Sequence, residues 1–281
     1  MPTRFLLKMI YVIASIYLCW LLILVFAQDQ LIFPRTRGLV RMGELDRPGV
    51  EVVWLDTEEG RLPGWFIPGR GASEESPQRL LVLLHGNGNI IDDWYDLGLA
   101  LSSQGANVLI PEYRGYGHAR EVGLPSEEAL AEDVVDFIAR ISQRPEVDDE
   151  HVLIYGRSLG AALGAQVGSR IPLDGLFLHT PPISIASYAW QYGAPPFLLR
   201  HPFRTDHALV KMGDVPMVMV IHDEDEIVPE WHAKKLRALA PHAEFIKLEG
   251  THNIIDTESD RDRFHRMLND FANGESIRTA G

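Results

Sequence analysis

The 281-residue chain has a single cysteine, Cys19, and it lies inside an apolar run near the N-terminus. The rest of the chain therefore has no disulfide, no thiol nucleophile and no cysteine-based zinc spacing. Cations are also scarce: 26 Lys and Arg against 39 Asp and Glu give a formal charge of −13. That balance argues against nucleic acid as a partner and against electrostatic adhesion to anionic lipid, since both need clustered positive charge. No Gly/Ser linker, repeat or low-complexity tract divides the chain, so the roughly 250 residues beyond the apolar run suit one domain with a single large core. A Walker-type loop is missing, and Gly86-Asn87-Gly88 is too short and wrongly placed for a dinucleotide fingerprint. No cofactor and no metal are expected.

Charge is absent altogether from residues 9–27, where eleven of nineteen residues are Leu, Ile, Val or Phe. As a helix rising ~1.5 Å per residue the run extends about 28 Å, close to the ~30 Å hydrocarbon core of a bilayer. Those eleven residues contribute on the order of −3 to −6 kcal/mol towards insertion. The run reads as a transmembrane anchor behind a flank, residues 1–8, that carries Arg4 and Lys8. A signal segment cleaved after Val25-Phe26-Ala27 is the competing reading, although the run exceeds the usual ~7–15-residue signal core. Arg35, Arg37 and Arg41 nearly balance the positive charge on the near side. With the N-terminus inside, the domain lies on the non-cytoplasmic side of the cell membrane.

Beyond the anchor, Gly156-Arg157-Ser158-Leu159-Gly160 follows a strand-like run (151–155) and opens a small-residue, helix-like run (161–167). Gly-x-Ser-x-Gly between a strand and a helix is a nucleophile elbow, whose glycines remove side chains that would clash in the tight turn. A serine hydroxyl needs a histidine base and a carboxylate that orients it, here in the order Ser, Asp or Glu, His. Asp225 follows the buried run 215–221, and His252 follows the run 244–248. Each lies past the C-terminal end of a strand, where open α/β sheets place their ligands. The run 80–84 ends in His85-Gly86-Asn87-Gly88-Asn89, a loop able to aim the Asn87 N–H, with that of Leu159, at an oxyanion. Blander roles exist for each: Ser158 as a helix N-cap, Asp225 within the solvated acidic run 223–226, His252 as one of eleven histidines. His85 reads as a loop-shaping residue and Arg157 as a pocket-edge charge.

These segments, with Gly64-Trp65-Phe66-Ile67-Pro68, Tyr113-Arg114-Gly115-Tyr116-Gly117, Pro125-Ser126-Glu127-Glu128 and Val228-Pro229, resemble an α/β-hydrolase. More narrowly, the chain is similar to membrane-anchored bacterial serine hydrolases whose eukaryotic relatives include lysophospholipases and protein depalmitoylases. The resemblance covers roughly residues 31–272 and implies an α/β fold: a mostly parallel central sheet, helices on both faces and a short lid. The implied organisation is a hydrolase domain over 28–273, with a lid at 180–215, and a tail at 274–281. Four departures stand out. The loop after His85-Gly86 is one residue short, and the segment after Gly117 lacks a serine and runs long. His179-Thr180-Pro181-Pro182 replaces an acid or serine pair at the pocket wall, and His222 disturbs the His-Gly that precedes the acid. Counting back from Val228-Pro229 selects Asp225 over Asp223 or Glu224.

The lid segment holds Ile183, Ile185, Tyr188, Trp190, Tyr192, Phe197, Leu198 and Leu199, with Pro195, Pro196 and Pro202. An apolar cover over a polar triad suits an acyl chain; alternatively, its aromatics pack the lid onto the sheet. It is too short for a helical cap domain, so a fairly open site is expected. The expected protein is a membrane-anchored serine hydrolase that acts on a lipid-like acyl ester or thioester through Ser158, His252 and Asp225. A peptidase or amidase with the same triad, or an idle hydrolase fold serving as a binding protein, are the alternatives. Substrate identity and oligomeric state stay open.

Overall fold

The computed structural model describes residues 2–275, so the last part of the expected tail, 276–281, lies outside the described residues. Seven α-helices are present among them: α1 (Pro2–Ile32), α2 (Tyr95–Ser103), α3 (Glu127–Ile141), α4 (Leu159–Gly168), α5 (Thr205–Met212), α6 (Trp231–Leu239) and α7 (Glu258–Ala272). Eight strands form one sheet: β1 (Glu51–Thr57), β2 (Gly60–Ile67), β3 (Gln78–Leu84), β4 (Asn107–Pro111), β5 (Val147–Arg157), β6 (Gly175–His179), β7 (Met217–His222) and β8 (Glu244–Leu248). Their order is β1-β2-β4-β3-β5-β6-β7-β8. β2 runs antiparallel to β1 and β4, and every other pairing is parallel.

Side chains alternate across a strand, and here both faces of the sheet are covered. Leu80, Val82 and Leu84 of β3 join the core with α3, α4, α5 and α6, whereas Leu81 and Leu83 join the core with α2 and α7. β3 lies between β4 and β5, so the chain leaves it towards one sheet edge and returns to cross towards the other. Such a reversal opens a crevice at the C-terminal ends of the two central strands. Ser126 caps α3, its hydroxyl accepting the Ala129 N–H at 3.1 Å. Glu127 then reaches out of the helix to accept the Phe203 N–H at 2.8 Å, which ties down the end of the lid.

Two of the expected segments fall within longer or composite elements. α1 absorbs the flank and runs five residues past Ala27, because nothing between Pro2 and Pro34 interrupts a helix. Residues 9–27 mark where charge is absent, not where the helix ends. The expected lid segment, 180–215, holds three helical elements. Its cover consists of two 3-10 turns, Ile185–Tyr192 and Pro196–Leu198, after which α5 buries Ala208 and Leu209 in the core beside α4.

β5 passes into α4 with no intervening loop, and Ser158 alone makes the turn, at φ 53° and ψ −115°. Positive φ in a non-glycine residue is strained and persists only where packing enforces it. Here a Cβ on Gly156 would lie 2.3 Å from the Gly160 carbonyl oxygen, and one on Gly160 2.1 Å from that of Leu84. Both obstacles are backbone, which cannot rotate away. Gly160→Ala is therefore expected to cost about 1–3 kcal/mol or more, read as a lowered Tm in thermal unfolding; an unchanged Tm would contradict this packing.

Candidate active site

The crevice between β3 and β5 gathers residues that are 94 and 27 positions apart in the chain. Ser158 stands at the N-terminus of α4, and its hydroxyl lies 3.1 Å from His252 Nε2. His252 follows β8, and its Nδ1 lies 2.8 and 3.0 Å from the two carboxylate oxygens of Asp225, on the loop after β7. A protonated Nδ1 donating to Asp225 leaves Nε2 free to accept from the serine hydroxyl. Asp225 is buried and also accepts the N–H groups of Val228 at 2.7 Å and Ile227 at 2.9 Å. Burial works against its ionisation, but the bonds from His252 and from Val228 and Ile227 outweigh it and hold the carboxyl below the usual carboxylate range.

Two other members of the acidic run serve the same loop. Asp223 accepts the Gly250 N–H at 2.9 Å, and Glu226 accepts the His252 N–H at 3.0 Å. From the opposite side Arg157 donates to the His252 carbonyl at 2.9 Å and to Asn253 Oδ1 at 3.1 Å. The acidic run thus braces the histidine loop, with Asp225 buried and Asp223, Glu224 and Glu226 exposed. Arg157 is a clamp on protein, although it also borders the cavity.

Leu159 is the first residue of α4, so its N–H has no partner within the helix. Asn87 lies on the loop after β3 and, among the described residues, its N–H meets no backbone acceptor. Both residues line a cavity of about 360 Å³ together with Ser158 and His252. His85 is buried, stacks on Tyr113 at 3.7 Å between ring centroids and contacts Gly86, which keeps it within the loop's foundation. The cavity is roofed by Pro182, Ile185, Tyr188, Tyr192, Leu198 and Leu199 of the lid and by one side of α1. α1 is thus a second element beside the lid over the site. Tyr188 adds a buried hydroxyl without a protein partner among the described residues, a polar handle within a largely apolar roof. No group of three His, Cys, Asp or Glu side chains among the described residues is placed to hold a metal ion.

His179 does not join the pocket wall; it turns to the other face of the sheet. Tyr155 Oη lies 2.8 Å from His179 Nδ1, and His179 Nε2 lies 3.0 Å from His222 Nε2. His222 Nδ1 meets the Thr251 carbonyl, which can only accept, so Nδ1 carries the proton. The remaining protons follow by elimination: His179 donates to His222, and Tyr155 donates to His179. This neutral chain ends one residue before His252 and was legible in the sequence only as two unexpected histidines. Burial is the first cause that pushes His179 and His222 below the ordinary histidine range, with Arg157 adding to it. His232, buried beneath the lid, is lowered to about 4 by burial, with Lys235 adding to it against Asp225.

An unfolded histidine takes up a proton near pH 6.5, while these folded ones resist, so stability is full above that pH and lost as pH falls below it. The Tm is expected to be level between pH 8 and 7 and to fall from about pH 6.5 towards 4.5. His232→Asn, whose amide oxygen can accept the Ile183 N–H in place of Nδ1, should show a shallower fall. A wild-type Tm that holds to pH 4.5 would contradict neutral burial.

Comparison with known proteins agrees with this architecture. The family described as serine aminopeptidase, S33, matches residues 75–227. The uncharacterized protein Rv2307c of Mycobacterium tuberculosis is 30% identical over 256 residues, covering 87% of this chain and 88% of its own. The uncharacterized membrane protein YNL320W of Saccharomyces cerevisiae is 27% identical over 222 residues, covering 76% and 73%. Among solved structures, the Pyrococcus furiosus esterase Pf2001 superposes with a TM-score of 0.61 at 16% identity, covering 79% of this chain and 91% of that one, which shows the shared fold. An eight-stranded sheet with its crevice at the central strands, matched over most of its length by these relatives, makes this chain a hydrolase of the α/β-hydrolase family described as serine aminopeptidase, S33.

Proposed function

We propose that the protein is a membrane-anchored serine hydrolase that cleaves carboxylic esters or thioesters through an acyl-enzyme. In this reading residues 9–27 are the membrane-crossing part of α1, and 28–273 form the hydrolase domain. The observation that carries it is the unbroken series Asp225, His252, Ser158, with contacts of 2.8 and 3.1 Å and the serine held on a strained turn.

The chemistry follows from that series. His252 Nε2 takes the proton as Ser158 Oγ attacks the acyl carbonyl, and the N–H groups of Leu159 and Asn87 receive the oxyanion. Asp225 stabilises the imidazolium and holds its tautomer. His252 then gives the proton to the leaving oxygen or sulfur, and the carbonyl re-forms as the acyl-enzyme. Water, deprotonated by the same imidazole, attacks in turn and releases the acid.

The family description favours a second reading, an aminopeptidase with the same triad. Such an enzyme needs an anionic group for the substrate's free ammonium. The residues lining the cavity include Arg37 and Arg157 but, among the described residues, no Asp or Glu. An uncharged acyl group therefore suits the cavity better than a charged amino terminus.

Ser158→Ala should abolish labelling by a fluorophosphonate probe and lower turnover by at least about 10⁴-fold while the protein stays folded. Retained labelling would remove Ser158 from its role. Asp225→Asn is expected to lower kcat by roughly 10³–10⁴-fold, whereas Asp223→Asn, which touches only the Gly250 N–H, should cost far less. Equal losses in the two would reassign the acid. On matched acyl substrates the ester and thioester should turn over faster than the amide, and the reverse order would favour the peptidase.

A further inference from the structure

α1 is more than a tether in this fold, because one of its faces is a wall of the cavity that holds Ser158. Leu21, Leu24, Val25, Gln28 and Ile32 line that cavity. Their spacing of three, four, seven and eleven residues from Leu21 describes a single helix face. Leu22, Ile23 and Phe26, on the other side, are exposed. The face is fastened in place: Gln28 donates to the Leu198 carbonyl at 3.4 Å and accepts the Arg200 N–H at 2.7 Å. Asp29 pairs with Arg200 at 3.2 Å, and Phe33 packs against Phe203.

The lid shares the helix's lack of charge. Residues 180–199 contain no Asp, Glu, Lys, Arg or His, and charge resumes at Arg200, the partner of Asp29. Helix and lid therefore change from apolar to charged at one level. Above that level Trp20 donates to the Tyr192 carbonyl and Tyr17 to the Gly193 carbonyl, each at 2.8 Å. At ~1.5 Å per residue these contacts stand about 14–18 Å along the helix from Asp29, close to half the ~30 Å hydrocarbon core. Backbone carbonyls at such depth need a donor from the protein, since lipid supplies none, and Tyr17 and Trp20 are donors of that kind. The lid's outer surface fits the same surroundings: Trp190 is 66% exposed and Phe197 83% exposed, a poor arrangement in water.

We infer that the lid is embedded in one leaflet beside α1 and that the cavity takes the acyl chain of a membrane lipid directly from the bilayer, along Leu21, Leu24 and Val25, to Ser158. The ester or thioester then lies at the charged level, next to the nucleophile, and the chain stays in apolar surroundings throughout. This rests on the serine-hydrolase reading above and names its substrate class.

The test uses the full-length protein in phosphatidylcholine vesicles, with active sites counted by fluorophosphonate labelling. The readout is the ratio of kcat/KM on p-nitrophenyl myristate to that on the butyrate. Leu24→Trp fills the wall and should lower this ratio at least about tenfold, as expected for burying some two fewer methylenes. Leu24→Ala should shift the optimum to longer chains, and Ile23→Trp, on the lipid side, should leave the ratio unchanged. A wild type that labels, with a ratio unmoved in both Leu24 variants, overturns the inference and leaves the serine-hydrolase reading standing. A wild type that does not label defeats both.

A second measurement needs no catalysis. Bimane attached at Phe197→Cys in a Cys19→Ser background should be quenched by lipids brominated on their acyl chains and shielded from aqueous iodide. Quenching by iodide alone would place the lid in water and overturn the inference.

Discussion

The close approach of backbone at Gly156, Gly160 and Leu84 is the constraint on which the rest of the site depends. A parallel sheet delivers β3 and β5 side by side, and α4 can start against them only if no side chain stands between. Ser158 is left as the residue that turns the chain, with a positive φ that would relax were the turn looser. Its hydroxyl is thereby presented to His252 in the crevice, and Leu159 follows it along the cavity wall. The strain is local, but the large core on both sheet faces holds it in place.

A second layer of order comes from the loops that meet the elbow. His252 lies in a loop braced from several directions: Asp225, Glu226, Asp223 and Arg157 each bond to it, and His222 holds the residue before it. Most of these bonds are to backbone, so they set where the imidazole is rather than its basicity. The His179–His222 pair satisfies its buried nitrogens without charge, at the expense of acid tolerance. Polar order beneath the site and apolar order above it are thus separate, and they meet at Ser158.

That apolar side is assembled from two distant pieces of chain. The lid and α1 are joined by hydrogen bonds between residues 170 to 176 positions apart. In water this pairing would be odd, because it leaves Trp190 and Phe197 bare while burying little. Against lipid the same pairing is economical, since residues 9–27 of α1 and 180–199 of the lid carry no charge and the Tyr192 and Gly193 carbonyls are answered by α1 side chains. The proposed acyl route therefore follows from where charge stops rather than from pocket shape alone.

The amino-acid sequence by itself determined the strands, since 175–179 and 244–248 are continuous apolar or alternating runs with punctuated ends, and local patterning fixes their bounds. It also determined the elbow, because a glycine pair at that spacing has a steric meaning wherever it falls between a strand and a helix. It named Ser158, Asp225 and His252 as candidates in order, a matter of position along the chain. What only the tertiary structure decided are the relations between distant segments. These include the bracing of the His252 loop by Asp223 and Glu226, the pairing of His179 with His222, the burial of Ala208 and Leu209 of α5 in the core, and the placement of α1 over the cavity. None of these leaves a periodic trace, because each depends on where loops of many residues close, and one run of carboxylates or one apolar helix is compatible with several closures.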